Sequence, residues 1–230
     1  MFESKYSKVL TVILVIVIIA IISLLGFLAF DYIQKINITK QASDFVEDYQ
    51  TNINTTEEQN IIVENIVENV TLENIVETPI ETNGTTGTSG TSNKKKYYNY
   101  TVVGTMKIPA INLEYPIVEE VSGPALEKAL VALYPSGDNL NLPGNTVIIG
   151  HNYRNGTFFS NIKKLTNGAK IYVTDYRGKS LTYEVYNKFE TSSTDTSFYS
   201  RDTNGLAELT LSTCTDASND QRTIIFAKQI

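Results

Sequence analysis

The pattern of apolar and polar positions divides the chain into three parts. From Val9 to Phe30 the residues are uncharged and almost wholly apolar, with Thr11, Ser23 and Gly26 the only interruptions of note. At ~1.5 Å per residue a helix over this run spans about 33 Å, enough to cross a hydrocarbon core of ~30 Å. The run is too long for the apolar region of a cleaved signal, and no A-x-A-like site follows it. It predicts an uncleaved transmembrane anchor over residues 9–30, in contact with lipid, behind a short cytoplasmic tail, residues 1–8. Lys5 and Lys8 precede the span and Lys35 and Lys40 follow it, so the positive charges alone do not orient it. The short N-terminal side has little to translocate, and the polar stretch downstream suits an exterior. Residues 31–230 are therefore expected outside a single-pass cell-membrane anchor.

Periodicity then weakens. Residues 31–96 are rich in Asn, Thr, Glu and Gly, and aromatics nearly vanish after Tyr49. A small repeat (Val63-Glu64-Asn65, Val67-Glu68-Asn69, Leu72-Glu73-Asn74, Val76-Glu77-Thr78) steps by four, five and four residues, compatible with one face of a helix. Asn and the β-branched residues weaken such a helix. Residues 83–93 form a Gly/Ser/Thr linker, and Lys94-Lys95-Lys96 reads as a solvated charge cluster. Residues 31–96 are thus expected to be a flexible low-complexity stalk.

From residue 97 the period becomes that of strands. Tyr100–Ile108 alternates, Pro109-Ala110 turns the chain, and Leu113–Glu119 reads as a second strand. Ser122–Leu133 carries a Ser N-cap, a Pro in the first turn and helical apolar spacing, which predicts a helix. Thr146–Gly150 predicts a short buried strand that ends at His151. Phe158–Leu165 has one-face helical spacing. Ala169–Thr174, Ser180–Phe189, Ala207–Thr213 and Thr223–Lys228 predict further strands, with a polar connection over Thr191–Gly205. Many short strands with few, short helices predict a mainly β domain, a closed or nearly closed barrel with peripheral helices, over residues 97–230.

Charge narrows the function. The net charge is −6 and no basic face with interleaved aromatics appears, so nucleic-acid binding is a poor reading. Asp175, Asp195, Asp202, Asp216 and Asp220 lie in or near loops without the dense carboxylate spacing of a calcium loop. No metal and no cofactor is expected.

Candidate chemistry comes from residues that occur once. Cys214 is the sole cysteine and His151 the sole histidine, so neither a disulfide within the chain nor a Cys/His zinc cage is available to them. A nucleophile with a proton-transfer partner is. A lone cysteine in a β-rich domain is more often a small buried residue. Here both residues follow the end of an expected strand, where the sheet fixes a side chain and the loop exposes it. Arg222 opens the next apolar run. If that run pairs with Ala207–Thr213 as a hairpin, Arg222 returns beside Cys214, where a cation favours a thiolate or steadies an oxyanion.

In their order and spacing these residues resemble a known family. Gly150-His151-Asn152, Thr210-Leu211-Ser212-Thr213-Cys214 and Arg222 are similar to the signature of the sortases, membrane-anchored cysteine transpeptidases of Gram-positive bacteria. The likeness covers roughly residues 97–230 and includes Gly104-Thr105-Met106-Lys107-Ile108-Pro109, Tyr115-Pro116-Ile117-Val118 and Phe158-Phe159. Gly-His-Asn and Thr-Leu-Ser-Thr-Cys look most like class B or a related non-pilin class.

The resemblance implies a sortase-like barrel and an acyl-transfer reaction. Cys214 would attack the carbonyl of the Thr in an LPxTG-like or NPxTx-like sorting signal of a secreted protein, forming a thioacyl-enzyme. An amine of the cell wall, from a peptidoglycan precursor or another acceptor, would resolve it. His151 would donate and accept the protons, and Arg222 would stabilise the oxyanion or the substrate. Asn152, Ser212 and Thr213 would bind substrate. A surface cysteine peptidase that hydrolyses the same intermediate, and a non-catalytic stalked adhesin or scaffold, remain alternatives at this stage.

Overall fold

A computed structural model describes residues 3–70 and 94–230. The linker expected over residues 83–93, and the repeat members from Leu72 onward, lie outside the described residues. A single helix, α1, runs from Glu3 to Val70. The apolar run lies within it, and its side chains, Val9 to Phe30 among them, are exposed. A helix this long, apolar and outward-facing is able to cross a membrane. The chain divides into two units, residues 1–41 and residues 42–230.

The second unit is built on nine strands: β1 (Lys96–Tyr97), β2 (Tyr100–Ile108), β3 (Leu113–Val118), β4 (Leu130–Tyr134), β5 (Gly144–Ile149), β6 (Lys170–Asp175), β7 (Ser180–Ser192), β8 (Ala207–Cys214) and β9 (Gln221–Gln229). Their order in the sheet is β1-β2-β3-β4-β5-β8-β9-β7-β6, and β2 also pairs with β6. That last pairing closes eight strands into a barrel and leaves those strands without a free edge. β3–β4 and β5–β8 are parallel and the other pairs antiparallel. β1 adds a short hairpin. Tyr98 and Asn99 both take positive φ there, as a two-residue turn between right-twisted strands requires.

The barrel is filled by Met106, Tyr115, Leu130, Ile148, Phe159, Leu211 and their neighbours, almost all fully buried. Two short 3-10 helices, Pro109–Ile111 and Phe158–Lys164, cap its rim. The helix expected over Ser122–Leu133 is only partly formed. Ser122 does cap its start, accepting from the Ala125 N–H, but α2 covers just Gly123–Leu126. Leu130–Tyr134 is strand instead. A short run such as Leu-Val-Ala-Leu-Tyr fits either state locally, and burial between two strands decides it. Leu130 and Val131 pair with Ile117 and Val118 on one side, and Val131 and Ala132 with Ile149 and Ile148 on the other.

Part of the segment expected as stalk is packed. Ala42, Phe45, Val46, Tyr49 and Ile53 recur at helical spacing on one face of α1. Ala42, Val46 and Tyr49 are buried, and Tyr49 joins Tyr97, Val102, Val118 and Val131 in a second cluster outside the barrel. The Phe45 ring lies 4.9 Å from that of Tyr97, Ser43 donates to Glu114 at 3.0 Å, and Lys95 pairs with Asp48 at 3.0 Å.

Candidate active site

Three neighbouring strands bring the candidate residues to one end of the barrel. β5 and β8 run parallel with Ile149 opposite Ser212, so both deliver their last residues to the same rim. The stitching continues past the ladder. The Gly150 N–H donates to the Ser212 carbonyl at 3.3 Å, and the Thr213 hydroxyl donates to the Gly150 carbonyl at 2.6 Å. His151 is the next residue. β9 returns antiparallel, and its register places Arg222 directly across from Cys214.

Alternation settles which face these side chains share. Leu211 and Ile225 point into the barrel core. Cys214 and Arg222 are each an odd number of residues away along their strands and so face outward, together with Thr210 and Ser212. The β7–β8 connection lies over this outer face. Phe198 packs among Phe189 and Phe226, Asn145 Nδ2 donates to the carbonyls of Phe198 and Tyr199, and Arg201 reaches Thr210 at 2.6 Å and Glu208 at 2.6 Å. The Arg222 cation is close enough to act on the Tyr199 phenol.

Cys214 is half-buried and its thiol is free. His151 is also half-buried. Desolvation pushes its imidazole below the ordinary 6.5, and the Glu127 carboxylate opposes that shift. The Arg222 guanidinium donates from Nη1 to the carbonyls of Asn219 at 2.6 Å and Gln221 at 3.1 Å, so the β8–β9 turn orients it at the rim.

The other three residues expected to bind substrate sit in the same place and are engaged within the protein. Asn152 Nδ2 donates to the Cys214 carbonyl at 2.8 Å and to Asp216 Oδ1 at 2.9 Å. Thr213 is the residue bonded to Gly150, and Ser212 is buried. Asp216 in turn pairs with Lys163 from the Phe158–Lys164 helix. This network joins the residues after β5 to those after β8 independently of the ladder.

Three contributors, Asp216, Lys163 and Tyr153, carry weak signals in the sequence. Asp216 reads as one of several loop carboxylates, and nothing local marks Lys163. Gly150 has no room for a side chain: a Cβ there would lie 2.7 Å from Leu130 Cδ2 and 2.9 Å from the Phe159 ring. Tyr153 lies against His151 in a tilted contact, with ring centroids 4.7 Å apart. Gly150 already stands in the Gly150-His151-Asn152 motif, and the signal available for Tyr153 was its closeness in sequence to the sole histidine. Among the described residues no three His, Cys, Asp or Glu side chains cluster as a metal site would need.

A half-buried thiol, an imidazole and a guanidinium converging at one rim can perform nucleophilic attack on a carbonyl, proton transfer and anion stabilisation. Comparison with known proteins identifies relatives of the chain. A family model, the sortase domain, matches residues 106–230. Sortase A of Bacillus anthracis is 28% identical over 135 residues, which are 55% of this chain and 58% of that protein. The chain thus spans 58% of the length of that curated relative. Among solved structures, sortase A from Corynebacterium diphtheriae is 30% identical over 57% of this chain and 61% of its own, with a TM-score of 0.52. Sortase C-1 from Actinomyces oris is 26% identical over 56% of this chain and 74% of its own, with a TM-score of 0.51. Relatives from differently lettered groups match similarly, and the class stays open.

Proposed function

The chain belongs to the sortase family, and on that premise we propose that it is a membrane-anchored cysteine transpeptidase that cleaves a C-terminal sorting signal after Thr and joins the released protein to a cell-wall amine. The observation that carries this reading is the convergence of Cys214, His151 and Arg222 from three adjacent strands at one rim.

In the proposed mechanism the Cys214 thiolate attacks the Thr carbonyl carbon of an LPxTG-like or NPxTx-like signal. A C–S bond forms, and the carbonyl π pair moves to oxygen. The Arg222 guanidinium, planar and permanently charged, stabilises that oxyanion or holds the neighbouring substrate carbonyl. Collapse breaks the C–N bond, and the His151 imidazolium protonates the leaving amine. The acceptor amine then attacks the thioester, giving up a proton to neutral His151, and the C–S bond breaks. Peptidoglycan precursor is the acceptor class this reading favours.

The placement follows from the same reading. Residues 9–30 anchor the protein behind a cytoplasmic tail, residues 31–96 span the near-membrane space, and residues 97–230 work on the outer face of the cell membrane. The packed face between Ala42 and Ile53 supports treating that part of the stalk as a brace for the catalytic domain.

The test is product analysis. Purified full chain is incubated with signal peptides of both types, with and without oligoglycine or diaminopimelate-type amines. Ligated product that grows with amine concentration at the expense of free acid supports transfer. Free acid alone, whatever the amine, would make the chain a hydrolase. No cleavage of either peptide type would remove the proposed substrate class.

A further inference from the structure

Tyr153 is close to half exposed, at 46%, an unusual position for an aromatic ring that is nonetheless fixed. Its ring lies against His151, tilted by 33° with centroids 4.7 Å apart. It then meets Phe158 edge-on at 5.7 Å, and Phe158 stacks on the buried Tyr115 at 4.8 Å. The imidazole is therefore the outer end of an aromatic series rooted in the barrel core. Phe158 takes part with a φ of +47°, a strained conformation for a bulky residue. Such strain persists only where the surroundings impose it. The loop between His151 and Phe158 is tied at both ends. The Phe159 N–H donates to the His151 carbonyl at 3.0 Å, and Asn155 Oδ1 accepts from the Thr157 N–H at 3.0 Å and its hydroxyl at 2.7 Å.

We propose that Tyr153 is a positioning residue for His151: its ring covers one face of the imidazole, keeps water from it, and holds it in one orientation at the rim for proton transfer. The proposal rests on the acyl-transfer reading above. The contact is chemically suited to the role. Aromatic pairs favour defined relative geometries, and a closely held orientation is what general acid–base transfer needs. Burial as the main cause of the lowered imidazole pKa agrees with a covered ring. The other ionisable groups at this end are Glu127 after α2, Cys214 and Asp216 at the end of β8, Arg222 on β9, Lys163 on the 3-10 helix and Arg154 in the loop. Of these, Glu127 acts on the imidazole in the opposite sense.

His151 is the only histidine in the chain, so its titration is readable without assignment. The full chain, labelled in its histidine ring and held in detergent micelles, is titrated by NMR as wild type, Tyr153→Ala, Tyr153→Phe and Glu127→Gln. The wild-type midpoint is expected below 6.5. Tyr153→Ala should raise it toward the ordinary value, Tyr153→Phe should leave it in place, and Glu127→Gln should lower it. In peptide transfer, Tyr153→Ala should lose roughly 10-fold or more in kcat with KM little changed, and Tyr153→Phe should stay near wild type. If Tyr153→Ala does not fold, Tyr153→Leu is read in the same way, since an aliphatic side chain covers the imidazole face only partly. An unchanged midpoint in the ring-deleted variant overturns the proposal. A loss confined to KM would make Tyr153 a substrate contact, and an equal loss in Tyr153→Phe would place the role in the hydroxyl; either outcome also overturns it. The titration needs no turnover, so it is decided separately from the acyl-transfer reading.

Discussion

Replacing Gly150 by alanine adds one methyl group at the most crowded point of the site. The new Cβ would stand 2.7 Å from Leu130 Cδ2 and 2.9 Å from both Cγ and Cδ2 of Phe159, well inside van der Waals contact. Neither neighbour has an easy retreat. Both are fully buried, and Phe159 is also tethered through its N–H to the His151 carbonyl. Overpacking of this kind costs about 1–3 kcal/mol. For a unit of this size that corresponds to a fall in Tm of roughly 2–12 °C. Relief by backbone movement would shift the residue that carries the imidazole and lengthen the Thr213–Gly150 hydrogen bond, so activity should fall further than stability. The expected loss in kcat/KM is on the order of 10²-fold at a temperature where the variant is fully folded, the scale of an ångström-sized misplacement. The assay pairs a circular-dichroism melt of the full chain in detergent with peptide-transfer kinetics. A Gly150→Ala protein with wild-type Tm and wild-type kcat/KM would refute the reasoning, because it would show that β5 and the Phe158–Lys164 helix are not packed as described.

Asn152→Ala removes the amide donor from the Cys214 carbonyl, leaving Asp216 with Lys163, and should cost about 1–2 kcal/mol in a thermal or urea melt. Asn152→Asp should lose more activity than Asn152→Ala, since it sets a carboxylate against Asp216; equal kinetics for both would argue against the clamp. Tyr49→Ala should destabilise by at least about 2 kcal/mol, and a fragment starting at Lys94 should melt below one starting at Ala42. Equal melts for the two fragments would show that the helix face contributes nothing to the fold. Arg222→Lys keeps the charge but loses the planar donor fork, and should cost on the order of 10²–10³-fold in kcat/KM. Near wild-type rates for Arg222→Lys would reduce the residue to a point charge.

The strand-end placement of Cys214, His151 and Arg222 was legible in the sequence because its signals are local. Sole residues at the ends of apolar runs, a turn of Asp, Ser and Asn between two runs, and an arginine opening the second run are all readable without partners. β8 and β9 pair as the hairpin expected from those runs, which is why Cys214 meets Arg222. What was not legible depends on contacts distant in sequence. Leu130–Val131 is strand only because β3 and β5 flank it. The buried face of α1 was written in the spacing of Ala42, Phe45, Val46, Tyr49 and Ile53, but a polar, Asn- and Glu-rich surrounding masked it. That the Asn152 amide holds the Cys214 carbonyl, 62 residues away in sequence, could not be read from the residues around it. Neither the tilted contact of Tyr153 with His151 nor the positive φ of Phe158 is anticipated by local propensity.

In the proposed reaction Cys214 carries an acyl group during turnover. The direct measurement is intact-protein mass spectrometry of the full chain after brief exposure to a sorting-signal peptide without added amine. The expected result is an adduct equal to the N-terminal peptide fragment, mapped by digestion to Cys214, discharged by an added amine, and missing from a folded Cys214→Ala protein. An adduct on another residue, or cleavage that persists undiminished in Cys214→Ala, would contradict it.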